Sequence, residues 1–412
     1  MTNNKSAFIV IFLTIFIDLL GFGIVIPLLP SFSINQLHIS ETMMGFIAGI
    51  FSLMQFLFNP VWGSLSDRYG RKPILVMSLF GSVISYLLLS LVFSGLVLSA
   101  VLLLISRAFA GIFAANISAA QAVISDITSP EDRTKGIGYL SAAFALGFVF
   151  GPALGGVLSH YFGYGFPVIV SACLSLIAAL LCLFIFKETL PKEIQMKNRL
   201  VRKNVNPLNI NLIIRTVKNK SFGKYIIIFF VAIFAFSNIF STIQLFSERK
   251  DTLNLNEDEV GYVFSFMGIV GALVQLFFLK YVQRFWSEHK ILVAGNFIAI
   301  LGLGLIGYST SVVMLLVLIL FLSTGSGMSN TITVSLISQN VNREEQGTVL
   351  GINQSLSAFA RFLGPLCGGF VYEFLGYKYP FIVGGIFMML VTVYSYYAVK
   401  EVSKDITNPP FQ

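Results

Sequence analysis

The sequence predicts an all-α membrane protein with twelve transmembrane helices in two pseudo-symmetric six-helix bundles. Composition, long uncharged runs and an internal repeat support this prediction. Of the 412 residues, 56% are hydrophobic and 11% are charged, whereas soluble domains carry about 25% charged residues. A soluble core could not hide so much apolar surface. We therefore expect lipid to surround most of the chain.

Long apolar runs separated by short polar breaks define the predicted spans. A bilayer core about 30 Å thick requires about 20 apolar residues in a helix. The stretch from Ile291 to Asn342 has 52 residues without Asp, Glu, Lys, Arg or His, which is enough for two spans. Asp18 interrupts the first run, so we expect that run to remain as a helix and not to be a cleaved signal peptide. The predicted spans are 7–30, 41–64, 74–94, 97–118, 136–161, 165–187, 223–247, 257–281, 290–308, 312–338, 346–372 and 379–399.

The distribution of lysine and arginine predicts the orientation of the chain. With twelve spans, 22 of the 27 basic residues lie at the termini or in even-numbered connections. The positive-inside rule then places both termini in the cytoplasm of a multi-pass protein in a bacterial-type plasma membrane. The net charge of +8 is explained by this topology. Binding to nucleic acid is not expected, because the basic residues are scattered over loops without interleaved aromatics.

An internal repeat divides the chain into two halves. The segment Gly151–Pro167 reads GPALGGVLSHYFGYGFP, and Gly364–Pro380 reads GPLCGGFVYEFLGYKYP at a constant offset of 213 residues. Two parallel six-helix halves are typical of duplicated transporters. We predict an N-terminal bundle at 1–187, a cytoplasmic linker at 188–222 and a C-terminal bundle at 223–412. Within the linker, Ile210 to Val217 is either a short interfacial helix or part of a solvated tether.

No feature of the sequence predicts a cofactor or an enzyme. Cys173, Cys182 and Cys367 lie within predicted spans without paired spacing, so neither a disulfide framework nor a metal site is expected. The sequence contains neither a phosphate-binding GxxxxGK[ST] loop nor an HExxH motif. No segment is large enough to house an ATPase, so a motor within this chain is not expected.

Several motifs resemble one family of membrane proteins. The loop GSLSDRYGRKP at Gly63–Pro73 resembles the signature loop of the major facilitator superfamily, and RAFAGIFAA from Arg107 is similar to its Arg-and-glycine motif. GFVFGPALGG at Gly147–Gly156 resembles the motif of proton-coupled antiporters. FIDLLGFGIVIPLLP at Phe16–Pro30 and KETLP from Lys187 are similar to twelve-span drug:proton antiporters, including tetracycline efflux pumps.

This resemblance implies the major facilitator fold and secondary active transport. It predicts proton-coupled efflux of a small lipophilic drug or metabolite by alternating access, with a monomer embedded in the bilayer. The partners would be the small-molecule substrate, protons and lipid. The alternative within transport is an importer or uniporter for a sugar, metabolite or siderophore. A membrane receptor that transports nothing is a third class, and absence of proton or substrate flux in vesicles would distinguish it.

The signature loop contains candidate gating residues. Gly63 would let two helices approach closely, and Asp67 could cap a helix in the other half of the molecule. Arg71 is expected to pair with Asp126 below helix four. The alternative is that the basic residues only hold the loop on the cytoplasmic side.

The antiporter-type motif contains Gly147, Gly151, Pro152, Gly155 and Gly156. These residues could bend helix five and remove side-chain bulk, so that the halves can rock. Simple helix packing is an equally good interpretation, because glycine and proline are common in membrane helices.

Asp18 is the strongest candidate for proton coupling. It is the only carboxylate near the middle of a predicted span, and an ionised acid there costs several kcal/mol unless it is solvated, paired or protonated. The resemblance places helices one and four around one cavity, so we expect Arg107 to be its partner. The alternative is a permanent structural ion pair.

The candidate substrate contacts are Arg361 and a group of uncharged polar residues. Arg361 could bind an anionic group of the substrate or be satisfied by helix carbonyls. Predicted helices three and nine lack the acids of tetracycline pumps, which argues against a cation-chelated tetracycline. The polar candidates, each of which could instead make a helix-packing hydrogen bond, are Asn116, Gln121, Asn238, Gln244, Gln275, Asn330, Asn353 and Gln354.

Overall fold

The computed structural model describes residues 2–127, 133–200, 210–341 and 345–407, and this part of the chain contains helices and no strands. Short 3₁₀ or π segments interrupt two of the membrane helices, at Ala114–Asn116 and Val274–Phe278, and a third such segment, Ile306–Tyr308, forms the end of another. The α-helices are α1 (Thr2–Asn35), α2 (Glu41–Tyr69), α3 (Arg71–Phe93), α4 (Ala100–Phe113), α5 (Ile117–Ile127), α6 (Arg133–Phe162), α7 (Gly165–Phe184), α8 (Lys192–Leu200), α9 (Ile210–Val217), α10 (Gly223–Ser237), α11 (Ile239–Glu248), α12 (Glu257–Leu273), α13 (Leu279–Val282), α14 (Glu288–Leu305), α15 (Val312–Gln339), α16 (Gln346–Leu375) and α17 (Tyr379–Thr407).

Each predicted span coincides with one long helix or with consecutive helices. In the described residues, ten helical stretches are long and apolar enough to cross a membrane. The two other predicted spans differ for identifiable reasons. The fourth is broken after α4 by the turn at Ala114–Asn116, and the eleventh, α16, carries Gln346, Asn353, Gln354 and Arg361 along its length. The prediction of an all-α, multi-pass membrane protein is confirmed.

Helix α3 shows how lipid reverses the usual surface pattern. Its buried face includes Ser78, Ser82 and Ser85. Its exposed side chains are large and apolar, and they recur every three or four residues at Met77, Phe80, Ile84, Leu87 and Leu91. Such a stripe would be unfavourable in water, whereas acyl chains solvate it well.

Contact clustering divides the chain into two compact units. Unit 1 contains Met1–Leu208 and Leu255–Gly268, and unit 2 contains Asn209–Asn254 and Ile269–Gln412. The boundaries predicted from sequence follow the chain order alone. In space, the first part of α12 packs with unit 1, and this grouping matters for the contacts of α6 below.

Close packing of α1 against α6 organises unit 1. A Cβ atom built on Gly151 would lie 2.7 Å from the Cα atom of Gly23, and one on Gly147 would lie 2.7 Å from the Cβ of Leu19. A Cβ on Gly155 would also meet the backbone of Ile24. These glycines therefore allow the two backbones to touch, as small residues do between membrane helices.

Unit 2 repeats this packing with the second copy of the motif. A Cβ on Gly364 would overlap the Ser237 hydroxyl, and one on Gly368 would overlap the Asn238 side chain. The offset of 213 residues relates the glycines of α6 to those of α16, and it also relates Ile24 to Ser237. The sequence repeat is therefore a repeat of one helix–helix contact.

Candidate functional site

Asp18 lies inside unit 1 between α1 and α3. Its side chain is 9% exposed, and the Ser82 hydroxyl donates a hydrogen bond of 3.2 Å to its Oδ1 atom. Tyr86, one turn further along α3, is also buried. The buried face of α3 therefore offers this carboxylate the Ser82 hydroxyl, which can donate to the ionised form and accept from the protonated form.

Arg107 on α4 does not pair with Asp18 as the sequence predicted. The side chain is 4% exposed, and its Cζ atom lies 4.8 Å from the ring centroid of Phe51 and 5.9 Å from that of Phe22. Its Nε atom is buried without a hydrogen-bond partner. Among the described side chains no ion pair joins it to Asp18.

The packing of α2 against α4 explains this difference. A Cβ on Gly111 would overlap the backbone of Phe51, so the two helices touch one turn away from Arg107. This contact brings the Phe51 ring over the guanidinium, and Phe22 stacks on Phe51 at a centroid distance of 4.7 Å. A desolvated cation over aromatic faces gains about 2 kcal/mol or more.

Arg71 is the centre of a charged cluster at the α2–α3 turn. It is 6% exposed, and its Nη1 atom donates to Asp67 at 2.6 Å and to Ser66 at 3.0 Å. Its Nε atom donates to Asp126 at 3.0 Å, so the expected ion pair with helix α5 is present. Gly63 lies half-buried one turn earlier in α2. The gating roles of these residues, and a contact of Asp67 with a helix of the other half, stay predictions.

Glu188 completes this cluster, and sequence reasoning missed it. Its carboxylate accepts the backbone N–H groups of Arg71 at 2.9 Å and Lys72 at 3.1 Å, which are the first two residues of α3. Gly70, which precedes α3, has no side chain to cap it and a φ of +105°. A carboxylate at a helix N-terminus satisfies free N–H groups and opposes the positive end of the dipole.

The second face of α6 packs on the beginning of α12 within unit 1. A Cβ on Gly156 would lie 2.7 Å from the carbonyl oxygen of Glu257, and one on Gly261 would lie 2.6 Å from that of Pro152. The antiporter-type motif therefore contacts α1 through Gly147, Gly151 and Gly155 and contacts α12 through Gly156 and Pro152. Both helix packing and a hinge remain consistent with this arrangement.

Polar contacts hold the same pair of helices at their adjoining ends. Tyr164, just after α6, donates a hydrogen bond to the Glu257 carboxylate, and the Nδ1 atom of His160 lies 3.4 Å from Asp258. Deeper in the bundle, the Ser265 hydroxyl donates to a carbonyl of α6. The contact between α6 and α12 therefore combines close backbone packing with specific polar contacts.

The uncharged polar candidates occupy different environments. Asn238, Gln244 and Asn353 are buried, Asn330 is half-buried, and Gln121, Gln275 and Gln354 are exposed, while the side chain of Asn116 lies outside the described ones. Asn238 donates to the carbonyl of Pro380 at 2.6 Å, and Gln244 donates to Glu248. The Asn238 bond joins two helices, as the alternative interpretation expected, whereas the Gln244 bond lies within α11. In the described part of the chain no cluster of metal-ligating side chains occurs.

Arg361 lies half-buried in the middle of α16. Within the described residues it forms neither a hydrogen bond nor an ion pair, so helix carbonyls do not satisfy it. On the same helix, the Oδ1 atom of Asn353 is buried without a hydrogen-bond partner. Arg361 is therefore a mid-helix cation that no described side chain neutralises.

Comparison with known sequences gives the same family as the motifs. The family model described as Major Facilitator Superfamily matches residues 11–285 and 225–411. Multidrug resistance protein 2 of Bacillus subtilis is 30% identical over 98% of both chains. The class H tetracycline resistance protein of Pasteurella multocida is 28% identical over 99% of this chain and 100% of its own.

Solved structures share the fold at lower sequence identity. The human organic anion transporter MFSD10 (TETRAN) superposes with a TM-score of 0.71 at 23% identity, covering 95% of this chain and 99% of its own. The nucleoside transporter NupG superposes with a TM-score of 0.76 at 13% identity, with the same coverage. The packed helices, the signature loop and these matches agree, and the chain belongs to the Major Facilitator Superfamily of membrane transporters.

Proposed function

We propose that this transporter exports a small lipophilic drug or metabolite in exchange for protons, by alternating access. Relatives named as multidrug and tetracycline resistance proteins match 98% and 99% of this chain. Their resemblance extends over both halves, so it concerns the whole transport unit. Helix α3 contains no carboxylate, and the stretch from Ile291 to Tyr308 contains none either, which makes a lipophilic drug a better substrate than a cation-chelated tetracycline.

The buried position of Asp18 carries the proposed coupling to protons. An ionised carboxylate at membrane depth is costly, and binding one proton removes that cost. The Ser82 hydroxyl can serve both protonation states by reversing its role in the hydrogen bond. Arg107 lies on a neighbouring helix against Phe51, where it raises the electrostatic potential of the same bundle. Loading and release of one proton at Asp18 would therefore change the stability of each transport state.

The proposed orientation has both termini in the cytoplasm of the plasma membrane. In that orientation the Arg71 cluster lies on the cytoplasmic side, and the contact between Gly156 and Glu257 lies near the outer side. Alternating access requires contacts on opposite sides to open in turn. We propose that the salt bridges of Arg71 and the packing of α6 on α12 both change between the two states of the cycle. We propose that a monomer carries out the cycle and that nucleic acid has no part in it.

Energised inverted membrane vesicles test this proposal. A panel of lipophilic cations, neutral drugs and organic anions would be offered while an imposed pH gradient drives uptake into the vesicles. We expect at least one compound to accumulate against its gradient and a protonophore to abolish the accumulation. Accumulation that ignores the pH gradient would reject proton coupling. Flux only in the opposite direction would identify an importer.

A further inference from the structure

Helix α9 has an aliphatic face that is largely exposed. Ile210, Ile213, Ile214 and Val217 fall on one side of this eight-residue helix, because they are spaced by three, four and seven residues. Ile210 and Ile214 are exposed at 60% and 45%. Leu212, outside this face, is also exposed, and three exposed large aliphatic side chains on so short a helix are unfavourable in water.

The neighbouring face of α9 is polar and basic. Asn211, Arg215 and Lys218 are exposed along it, again at spacings of four and three residues. Lys220 follows in the turn and Lys224 in the first turn of α10, and the segment from 210 to 224 contains four basic and no acidic residues. An aliphatic face beside a basic face is the pattern of a helix that lies in a membrane interface.

The turn after α9 fixes the helix relative to the membrane span α10. The Asn219 carboxamide oxygen accepts the backbone N–H groups of Ser221 at 2.9 Å and Phe222 at 3.4 Å. A Cβ on Gly223 would overlap the carbonyl of Val217, and Thr216 is buried. α9 also contacts α16. The helix therefore has a fixed place at the point where two spans leave the bilayer.

We propose that α9 is a binding surface for anionic phospholipid in the leaflet on the side of the termini. Ile210 and Ile214 would lie among the upper acyl chains, and Arg215 and Lys218 would bind headgroup phosphates. The inference uses the proposed orientation, since the cytoplasmic leaflet carries the anionic lipids. It does not depend on the transported substrate. Because α9 contacts α10 and α16, bound lipid would stabilise the arrangement of these helices.

Probe depth tests the position of α9. A polarity-sensitive fluorophore would be attached to Ile214→Cys, in full-length protein with Cys173→Ser and Cys367→Ser, in nanodiscs containing phosphatidylglycerol. Asn211→Cys, on the polar face of the same helix, is the matched control. We expect blue-shifted emission and quenching by doxyl-labelled lipid at position 214, and quenching by aqueous iodide at position 211. Water-like emission at both positions would overturn the proposal.

Lipid titration tests the charge of the surface. Thermal stabilisation of the detergent-purified protein would be measured while phosphatidylglycerol is added. Two basic side chains near an anionic surface raise the affinity for anionic lipid by about 30-fold. The double variant Arg215→Gln, Lys218→Gln should therefore raise the half-saturating lipid concentration by about that factor. Lys192→Gln with Lys197→Gln on α8 should leave it unchanged. Equal weakening by both pairs, or equal stabilisation by inorganic phosphate, would overturn a lipid site on α9.

Discussion

Gly151 of α6 lies directly against Gly23 of α1, so that a Cβ on Gly151 would be 2.7 Å from the Gly23 Cα atom. Real Cβ atoms do not approach backbone this closely, so a side chain here would force two membrane helices apart. Overpacking of this kind typically costs about 1–3 kcal/mol. The same contact recurs between Gly364 and Ser237 in unit 2.

Alanine substitution of these glycines should destabilise the protein. We expect Gly151→Ala and Gly364→Ala each to lower the melting temperature of the purified protein in detergent, because each methyl group meets backbone or a packed hydroxyl. Gly351→Ala is the control, since a Cβ there meets nothing within 4 Å. On α16 it should be neutral or slightly stabilising, because alanine favours the helix. Equal effects at Gly151 and Gly351 would show that the close approach is not required.

The cap at the start of α3 should depend on the Glu188 carboxylate. Glu188→Ala removes the acceptor for two backbone N–H groups, and loss of a helix cap costs about 1 kcal/mol. Glu188→Gln keeps an acceptor oxygen and should lose less. Thermal unfolding of both variants, with Glu193→Gln on α8 as the exposed control, measures this difference. A wild-type melting temperature for Glu188→Ala would mean that solvent caps α3 equally well.

The Arg71 cluster should control the conformational cycle more than the stability of the protein. Arg71→Gln leaves Asp67 and Asp126 without their shared cation, so we expect turnover to slow severely while the protein remains folded. Lys72→Gln removes the same charge from the next residue, whose ammonium group forms no described ion pair. Labelling of single cysteines near the turn would report the change in state populations. If both variants label and turn over like the parent, the cluster only fixes the topology.

Asp18→Asn should separate substrate binding from coupling. The carboxamide has similar size and can still accept the Ser82 hydrogen bond, but it cannot carry a proton. We therefore expect loss of uphill accumulation with downhill counterflow partly retained. Glu373→Gln, at an exposed position of α16, is the charge-matched control and should transport normally. Accumulation at the parental ratio in Asp18→Asn would transfer the coupling role to another acid.

The membrane architecture could be predicted from the sequence, because a helix that spans a lipid bilayer must be long and apolar, and such segments are visible in the composition. The sequence also predicted the pair of Arg71 and Asp126, since Arg71 belongs to a recognisable loop motif and Asp126 follows the fourth predicted span on the same side of the membrane. It could not predict that Arg107 lies against Phe51, because the contact of Gly111 with Phe51 depends on how α2 and α4 pack. No pattern in either helix reveals that distance.

The cap that Glu188 forms on α3 could not be predicted from the sequence for a related reason. The residue is separated from Arg71 by 117 positions, and no periodicity links segments so far apart. Two signals were present, namely the KETLP motif that contains Glu188 and a helix that begins with two basic residues and needs an anion, but neither links the two segments. Asn238 shows the reverse problem, since a polar residue in a span has the same appearance in sequence whether it binds substrate or the Pro380 carbonyl.

Arg361 decides between classes of substrate. A guanidinium does not lose its proton at membrane depth, and leaving it without an anion costs several kcal/mol. The described residues provide neither an acid nor a hydrogen-bonded carbonyl for it, so an anionic group of the substrate is the best candidate partner.

Arg361→Gln should therefore weaken anionic substrates selectively. A charge-assisted hydrogen bond contributes about 1.5–3 kcal/mol, which corresponds to about 10- to 150-fold in affinity. Neutral compounds make no such bond and should bind as before, while Arg361→Lys should retain part of the preference because it keeps the charge. Competition by paired anionic and neutral compounds in vesicles measures the ratio directly. Equal loss for both members of a pair would reject the anion site, and it would favour a lipophilic or cationic drug whose charged contact is Asp18.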